Sequence, residues 1–510
     1  MSNSKKTLKK NKKFIQNDGA FAGLKNDYIY FLATIRSFFK NKNFLKHFGF
    51  IYGLYFIGIF GLLIADVYHR DDIWRSQFAY PGFTESSRHL SQILTYFFHA
   101  SYTTIADISP INQLIAIAFL SIASMALVKI INRYITYFGL IASLMLGLNP
   151  WYLQCISFKY DSPYMALATT CAILPFLFIK RLSLFFIVSI IFLLCMWNLY
   201  QANNGIYIVL SMFVTLNLIL QKSNLKQIFK FIFISALAFT ISVLAYKFIF
   251  FIEPKVGSHI YIHSSIDIGM VFTNMQKLLT WTNQNIGTHI IKYLFFISIP
   301  LFAISMFQVR KINFLVAFLF ISIFLSIGIF GSYGSFIILK NFDYHPRAIA
   351  QIGAFFAIVT IRATLHRQKF LNFISKCLIF YISYSLITIS SAYANALDAQ
   401  EKFDQYRIEL MISDLEHLLP LDKQEKYTTF IKSKRQRPYY NAVYSKVLPL
   451  ISVLTSQIDA QSVYQLRQKD ITVTRAKTCK KENEKAKKVV ETKFHKIEVY
   501  DNNCFEIEFR

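Results

Sequence analysis

Long apolar segments alternate with short polar ones along most of the chain, and this pattern predicts a bundle of membrane-spanning helices. Each apolar segment is close to the roughly 20 residues that one helix needs to cross a bilayer. Eleven such segments occur, at 48–65, 111–129, 134–149, 164–179, 183–198, 206–221, 231–250, 290–308, 312–331, 347–363 and 374–393. We therefore expect an all-α polytopic membrane domain over residues 48–395, with about 11 transmembrane helices.

Basic residues are concentrated in alternate loops between these segments. They are Lys129, Arg133, Lys180, Arg181, Lys222, Lys226, Lys230, Arg310, Lys311, His366, Arg367 and Lys369. Because positively charged loops stay on the cytoplasmic side, we expect the lysine-rich N-terminus in the cytoplasm. An odd number of crossings then places the C-terminus outside. The first apolar segment begins too late for a cleavable signal peptide, so it is expected to act as a signal anchor.

The two ends of the chain differ from the apolar part. Residues 1–47 read as a basic tail and an amphipathic helix, at about 25–45, that is suited to the inner membrane surface. Residues 396–510 predict a small external α+β domain. Its expected elements are helices near 397–419, 439–456 and 481–491, a strand at 428–433, and a final β-hairpin around the Asp-Asn-Asn turn at 501–503.

Composition agrees with a membrane protein and limits its partners. A chain that is 54% hydrophobic, with a mean hydropathy of +0.39, is not a soluble globular protein. The net charge of +27 lies largely at predicted span ends and in the tails, so anionic membrane lipids, and not nucleic acid, are the expected counter-charge for the tail and the span ends. Cysteine and histidine residues show no metal-ligand spacing, and we expect neither a metal nor a cofactor.

Two cysteines fall in the predicted external domain. Cys479 and Cys504 would both lie in a compartment that permits a disulfide. Such a bond would tie the Lys/Glu-rich segment near 481–491 to the final hairpin. Two unpaired thiols are the alternative, because a pair at this spacing is not diagnostic.

The predicted outer loops, at 66–110, 150–163, 252–289 and 332–346, carry the polar residues that could do chemistry. Loop 252–289 contains Glu253, His263 and Asp267, and all four tryptophans of the chain lie at or in outer segments: Trp74, Trp151, Trp197 and Trp281. Aromatic residues anchor helices at the membrane interface, which is one interpretation. The other is that some of the indole rings stack on a sugar ring.

A pair of adjacent carboxylates follows the first apolar segment. Asp71 and Asp72 would repel each other, so one of them is expected to have a raised pKa, which suits a general base. Asp72 is the first choice because it lies one residue further from the span end and should be easier for a substrate to reach. Asp161 is the next candidate. A solvated, charge-balanced loop is the alternative interpretation.

Three cations lie near predicted outer ends of spans and are candidate ligands for a lipid phosphate: Lys247, Lys292 and Arg347. Arg347 is preferred because it begins a span after His-Pro and can hold a phosphate through two donors. For the two lysines, snorkelling to ordinary lipids is the alternative.

Several motifs in the apolar part resemble the bacterial serotype-converting glucosyltransferases that modify O-antigen, the Gtr type II-like enzymes of the polytopic GT-C class. They are the D-D-x-x-R run at 71–75, SSRHLSQ around Arg88, ADISPINQ at 106–113, NPWYLQCISFKYDSPYMAL at 149–167 and YQANNGIYI at 200–208. The similarity extends over about residues 48–395.

The resemblance implies a donor, an acceptor and a place in the cell. The donor would be polyprenyl-phosphate-glucose, made by a separate synthase and moved across the membrane by a separate flippase. The acceptor would be a lipid-linked O-antigen or a similar lipopolysaccharide glycan, outside the bacterial inner membrane. The transfer would invert the anomeric centre, with an aspartate as base and cations on the leaving lipid phosphate. The motif residues implied to bind substrate are Trp74, Arg75, Arg88, Trp151, Tyr152, Lys159, Asp161, Tyr200, Gln201 and Asn203.

Other classes of function remain open from the sequence. A transporter or flippase would carry ionisable groups deep in its spans, whereas those of this chain lie near span ends. An O-antigen polymerase would have a long outer loop between late spans, and a structural or receptor role would need only the external domain.

Overall fold

The computed structural model describes residues 19–40, 43–69, 71–252, 268–339, 344–418, 427–433, 436–455, 486–500 and 503–510, with short pieces between 466 and 479. The helices, in chain order, are α1 Gly19–Phe39, α2 Phe44–Ala65, α3 Asp71–Phe78, α4 His89–Phe98, α5 Ile111–Asn132, α6 Tyr137–Ala142, α7 Met145–Leu148, α8 Leu153–Ser157, α9 Ser162–Ile173, α10 Leu182–Leu199, α11 Asn204–Leu220, α12 Leu225–Ala245, α13 Ile268–Ile286, α14 Ile290–Phe307, α15 Phe314–Ser332, α16 Pro346–Ile349, α17 Ile352–Ala363, α18 Lys369–Leu418, α19 Tyr439–Tyr444 and α20 Leu450–Leu454.

Every predicted apolar segment is helical in the structure. Within the described residues, eight helices are long and apolar enough to cross a membrane: α2, α5, α10, α11 with the turn before it, α12 with the turn after it, α14, α15 and α18. The other three predicted segments coincide with shorter apolar helices at Tyr137–Leu148, Ser162–Phe178 and Ile352–Ala363. The chain is thus a helical membrane protein, and eleven crossings with an internal N-terminus stay a prediction.

Most buried apolar side chains of the helix bundle form one large core, and close backbone approaches hold its loops in place. Gly205 at the start of α11 is an example, because a Cβ atom there would overlap the carbonyl oxygen of Ser332 at the end of α15. The neighbouring Asn204 donates to Gln201 O and Ser335 Oγ and accepts from Ser335 N. The turn before α11 is therefore fixed against the loop after α15.

The region after residue 395 is built around the continuation of α18 and a five-stranded sheet. The strands are β1 Thr428–Ser433, β2 Thr474–Arg475, β3 Lys488–Glu491, β4 His495–Val499 and β5 Cys504–Phe509. Their order is β2-β1-β5-β4-β3, with β1 parallel to both β2 and β5. The strands β4 and β5 form the predicted hairpin, with His495 opposite Phe509.

Two expectations for this region are wrong. The segment near 481–491 was expected to be helical, but residues 488–491 pair with β4 as an edge strand; residues 481–485 lie outside the described residues. The single helix expected at 439–456 is two short helices, because the chain turns between them and enters α20 after Pro449. Cys479 and Cys504 are bonded to each other in the structure, so the disulfide links β5 to the segment after β2 and not to a helix.

This C-terminal region packs on the membrane domain. Leu448, Ile451 and Leu454 belong to the same apolar core as the helix bundle. Val447 O accepts a hydrogen bond from Thr288 N at 3.2 Å, just after α13. The long α18 joins the two regions covalently, so the sheet lies at the same end of the bundle as the predicted outer loops.

Candidate functional site

Charged side chains from distant segments converge at the end of the bundle that carries the predicted outer loops. The helix α3 contributes Asp71, Asp72 and Arg75, the segment before α9 contributes Asp161, and α16 contributes Arg347. These positions are separated by as much as 276 residues. Only the folded chain brings them together.

Asp161 binds the guanidinium groups that the D-D-x-x-R and SSRHLSQ motifs supply. Its Oδ2 accepts a short hydrogen bond from Arg75 Nη1, and its Oδ1 lies 3.8 Å from Arg88 Nη1. The Asp161 side chain is 3% exposed and that of Arg75 is 8% exposed. Arg75 Nε also donates to Pro81 O at 2.8 Å, and its guanidinium lies 4.5 Å from the centre of the Phe83 ring. Arg75 and Asp161 are therefore a buried pair that holds two loops together.

Asp72 is fully buried and binds three backbone N–H groups. Its Oδ2 accepts from His69 N at 3.1 Å and Lys159 N at 3.0 Å, and its Oδ1 accepts from Tyr160 N at 3.3 Å. Burial, and then the charge of Asp161, raise the pKa of Asp72 to about 7, although the N–H groups favour its charged form. The expectation that Asp72 is the more accessible carboxylate is wrong, because its position outside the span end places it against the 158–160 loop.

Asp71, in contrast, is partly open to solvent and faces a cation. Its side chain is 40% exposed, and its Oδ2 lies 3.4 Å from Arg347 Nη1, whose side chain is 22% exposed. Partial burial alone raises the pKa of Asp71, but the charges of Arg347 and Arg75 outweigh it and hold the pKa below its ordinary value. Asp71 is thus an ionised carboxylate that a molecule from outside can reach.

The backbone and ring contacts of Arg347 fix its position. Arg347 N donates to Gln154 Oε1 at 2.8 Å, and Arg347 O accepts from the hydroxyl of Tyr200 at 3.1 Å. Its guanidinium carbon lies 4.7 Å from the centre of the Phe158 ring. Gln154 also lies 3.3 Å from His69 Nε2. Two of the resembling motifs, at 149–167 and 200–208, therefore contribute to holding Arg347 beside Asp71.

Arg88 lies on the other side of Asp161 and is linked to the YQANNG turn. Arg88 Nε donates to Gln201 Oε1 at 3.2 Å, and its guanidinium lies 4.8 Å from the Tyr200 ring centre. Gln201 Nε2 donates in turn to the hydroxyl of Tyr246 at 2.8 Å. Arg88 is 19% exposed at its side chain, so it remains within reach of a ligand.

Lys159 forms ion pairs with carboxylates of the chain itself. Its Nζ lies 2.6 Å from Asp66 Oδ1 and 3.3 Å from Asp107 Oδ2, and 4.2 Å from the centre of the Tyr68 ring. Its side chain is only 5% exposed. This lysine links the end of α2 to the ADISP segment, so that motif has a structural role.

Several residues that the resemblance implied for substrate binding are placed in the core. Trp151 and Tyr152 are each 2% exposed. Asn203 is buried and donates to Met165 O and Thr169 Oγ1, both at 2.9 Å. Trp74 is partly exposed and lies beside Phe78 and Tyr80. A ligand approaching from outside meets Trp74 but not the other three.

The two candidate lysines stand apart from this cluster. Lys247 is exposed in the turn after α12 and Lys292 is partly exposed at the start of α14. Neither forms an ion pair with any residue in the part of the chain that the structure describes. Glu253, His263 and Asp267 lie outside the described residues.

Sequence reasoning missed three contributors: His69, Gln154 and Tyr246. Gln154 lies within the recognised NPWYLQ run and His69 lies two residues before the D-D-x-x-R run, so their motif context was a usable signal. Tyr246 lies within the apolar segment 231–250, and only its contact with Gln201 reveals it. Among the described residues, no group of three or more metal-ligating side chains is placed to hold a metal ion.

Fold and site together define a polytopic membrane protein with a charged cluster, partly open to solvent, at one end of an apolar helix bundle. A family model described as glucosyl transferase GtrII matches residues 60–364, and the chain belongs to this family. The resemblance expected from the motifs is thereby confirmed, and the family indicates a glucosyltransferase.

Part of the chain is also similar to a curated protein. An uncharacterized 55.3 kDa protein in the gtrB 5′ region of Salmonella phage P22 is 25% identical over 217 residues, which are 42% of this chain and 44% of the phage protein. The match thus spans less than half of that relative. No solved structure matches the chain.

Proposed function

We propose that the protein transfers glucose from a polyprenyl-phosphate donor to a lipid-linked glycan on the outer side of a bacterial inner membrane. The observation that carries this proposal is the partly exposed pair of Asp71 and Arg347, 3.4 Å apart, with Arg88 close to the same cluster. In such a pair the carboxylate can act as the base on the acceptor hydroxyl, and the guanidinium groups can bind the phosphate leaving group of the donor.

Asp71 is the proposed general base. Its carboxylate takes the proton of the acceptor hydroxyl, whose oxygen then bonds to the anomeric carbon of glucose. The bond between that carbon and the phosphate oxygen breaks, and the polyprenyl phosphate leaves with the electron pair. One displacement of this kind inverts the anomeric centre. Asp72 is less suited, because its oxygens already accept three backbone hydrogen bonds and its side chain is buried.

Arg347 and Arg88 are the proposed phosphate ligands. Both retain some exposure, at 22% and 19% of the side chain, whereas Arg75 is buried against Asp161. A guanidinium group can donate two parallel hydrogen bonds to a phosphate. Lys247 and Lys292 then serve as general lipid contacts near the membrane surface.

An apolar groove supports a donor with a long hydrocarbon tail. The groove has a volume of about 570 Å³ and lies between α11, α12 and α15, lined by Tyr207, Met212, Leu216, Phe239 and Phe324 among others. It begins one turn into α11, directly below the Gln201 turn that holds Arg88. An isoprenoid chain in this groove would place its phosphate at the level of Arg88.

The charge distribution along the helices favours this function over transport. Transporters carry ionisable groups near the bilayer midplane. The described apolar helices carry their charged residues near their ends, such as Lys129, Lys230 and Arg362.

The test is glucose transfer by the purified protein in proteoliposomes. Radiolabelled polyprenyl-phosphate-glucose and lipid-linked O-antigen are supplied, and labelled glycan is measured. Transfer is expected from this donor and not from a nucleotide sugar. Movement of the donor between leaflets without any transfer, or transfer from the nucleotide sugar alone, would contradict the proposal.

A further inference from the structure

A polar cavity lies at the end of the helix bundle opposite the candidate site. It has a volume of about 340 Å³ and is formed where α5, α11 and α17 end, together with the loop after α14. One water molecule needs only roughly 15 Å³ of such space. The cavity is therefore large enough for a phosphate-sized group with its water.

Four cations line this cavity: Arg133, Lys311, Arg362 and Arg367. The other lining residues are polar amides or apolar, and no carboxylate is among them. None of the four cations forms an ion pair with a residue that the structure describes. The cavity is thus a concentration of positive charge that the described chain does not neutralise.

The position of Arg362 sets the cavity apart from an ordinary positively charged loop. Basic residues on the cytoplasmic side commonly face lipid headgroups from an exposed position, and Arg133, Lys311 and Arg367 are exposed in this way. Arg362 is only 8% exposed. Its Nη2 donates to Ser305 O at 3.1 Å, and its Nε has no partner among the described residues.

A second buried polar group accompanies Arg362. Asn132 is 3% exposed, and neither its side-chain nitrogen nor its side-chain oxygen has a hydrogen-bond partner in the described part of the chain. Buried donors without an acceptor are unfavourable. An anion in the cavity would provide acceptors for Asn132 and Arg362 at once.

Backbone contacts hold the rim of the cavity in one arrangement. Lys311 N donates to Leu220 O at 2.7 Å, and Arg367 N donates to Gln308 Oε1 at 2.8 Å. Gln221 Nε2 donates to Val309 O at 2.9 Å. These bonds join the loop after α14, which carries Lys311, to the loop after α17, which carries Arg367, and to the end of α11. The positive charges of Lys311 and Arg367 are therefore kept close despite their mutual repulsion.

We propose that this cavity is a binding site for a phosphate group, separate from the glucose-transfer site. The ligand has one chemistry and two possible sources: the headgroup of an anionic phospholipid in the inner leaflet, or a free phosphate compound from the cytoplasm. Basic pockets between membrane helices on that side are suited to anionic headgroups. The proposal does not depend on which sugar is transferred or on whether the protein transfers one.

The experiment measures thermal unfolding of the full chain, purified in mild detergent, against two probes. One probe is inorganic phosphate, compared with chloride at equal ionic strength. The other is micelles that contain phosphatidylglycerol, compared with micelles that contain phosphatidylcholine. Arg133→Gln combined with Lys311→Gln removes two rim charges and leaves the buried Arg362 unchanged. The control combines Lys226→Gln with Lys230→Gln. This change removes the same amount of charge near the start of α12, which is at the same end of the bundle but outside the cavity.

We expect at least one probe to raise the unfolding temperature of the unchanged protein and of the control variant. The rim variant should need about a tenfold higher probe concentration for the same rise. Stabilisation by phosphatidylglycerol alone identifies a headgroup site. Stabilisation by inorganic phosphate, alone or as well, identifies a site open to free phosphate, and both results support the proposal. No stabilisation by either probe, or an equal loss in the two double variants, overturns it. Arg362→Gln, where it folds, is expected to lose the response completely.

Discussion

Replacing each of the two adjacent carboxylates by its amide separates catalysis from folding at this site. In the proposed mechanism Asp71→Asn removes the general base, and loss of such a base typically slows a reaction by ~10²–10⁴-fold. The change should hardly affect stability, since Asp71 is 40% exposed and has a single ion-pair contact at 3.4 Å. Exposed ion pairs contribute about 0–1 kcal/mol.

Asp72→Asn should have the opposite pattern. The carboxylate accepts three backbone N–H groups through two oxygens, whereas an amide offers one oxygen and an NH₂ group that cannot accept. At least one buried N–H is left without an acceptor, at a cost of about 1–3 kcal/mol. We therefore expect a clearly lower unfolding temperature for Asp72→Asn than for Asp71→Asn.

The assay measures initial rates of labelled glucose transfer at saturating donor, and thermal unfolding of the same preparations. Glu85→Gln is the matched control, because Glu85 is an exposed carboxylate in the same outer loop. It should change neither rate nor stability. The reasoning is refuted if Asp71→Asn keeps more than half of the transfer rate, or if Asp72→Asn loses activity while its unfolding temperature equals that of the unchanged protein.

Three further predictions follow from other parts of the structure. Arg347→Lys should lower the rate of glucose transfer at least tenfold although the charge is conserved, because an ammonium group cannot donate two parallel hydrogen bonds to a phosphate. Arg310→Lys at the other end of the bundle is the control. Equal activity of the two variants would indicate that Arg347 contacts membrane lipids in general and not the donor phosphate. Gly205→Ala should destabilise the protein by roughly 1–3 kcal/mol, since its Cβ atom would overlap a carbonyl oxygen of α15; Gly49→Ala, which has nothing within 4 Å of the added atom, should not, and equal unfolding temperatures would contradict this packing. A reporter fused at Gln400 should be active only outside the cytoplasm, and cytoplasmic activity would overturn the orientation together with the outer placement of the site.

Local sequence patterns predicted the elements whose formation depends on local properties. Apolar runs of helical length became helices, and the alternation at 495–509 became the β4–β5 hairpin. The prediction that residues 488–491 are helical was wrong for a physical reason. The lysine and glutamate residues of the longer segment 481–491 favour helix, but Val489 and Val490 favour strand, and pairing with β4 satisfies their backbone groups in the sheet.

The sequence predicted which segments form the candidate site, but it did not predict the role of each residue there. The sequence placed Asp71, Asp72 and Asp161 in loops that should face the same side. It could not show that the N–H groups of His69, Lys159 and Tyr160 converge on Asp72, because this contact joins positions 87 residues apart. Motif residues also divide between two tasks. Trp151 is buried in the core, and only the folded environment distinguishes such a packing role from ligand binding.

The low pKa of Asp71 at first argues against its proposed role, because a carboxylate stabilised by cations is a weak base. Arg347 is the main cause of that stabilisation, and Arg347 is also the proposed ligand of the donor phosphate. When the phosphate binds, its charge competes with Asp71 for the same guanidinium group, so the pKa of Asp71 rises. Arg75 also lowers the pKa of Asp71, but it is paired with Asp161, so Arg347 is the cation whose effect on Asp71 changes when the phosphate binds. In the proposed mechanism the base therefore gains strength when the donor is bound, whereas in the free enzyme the neighbouring cations keep Asp71 ionised.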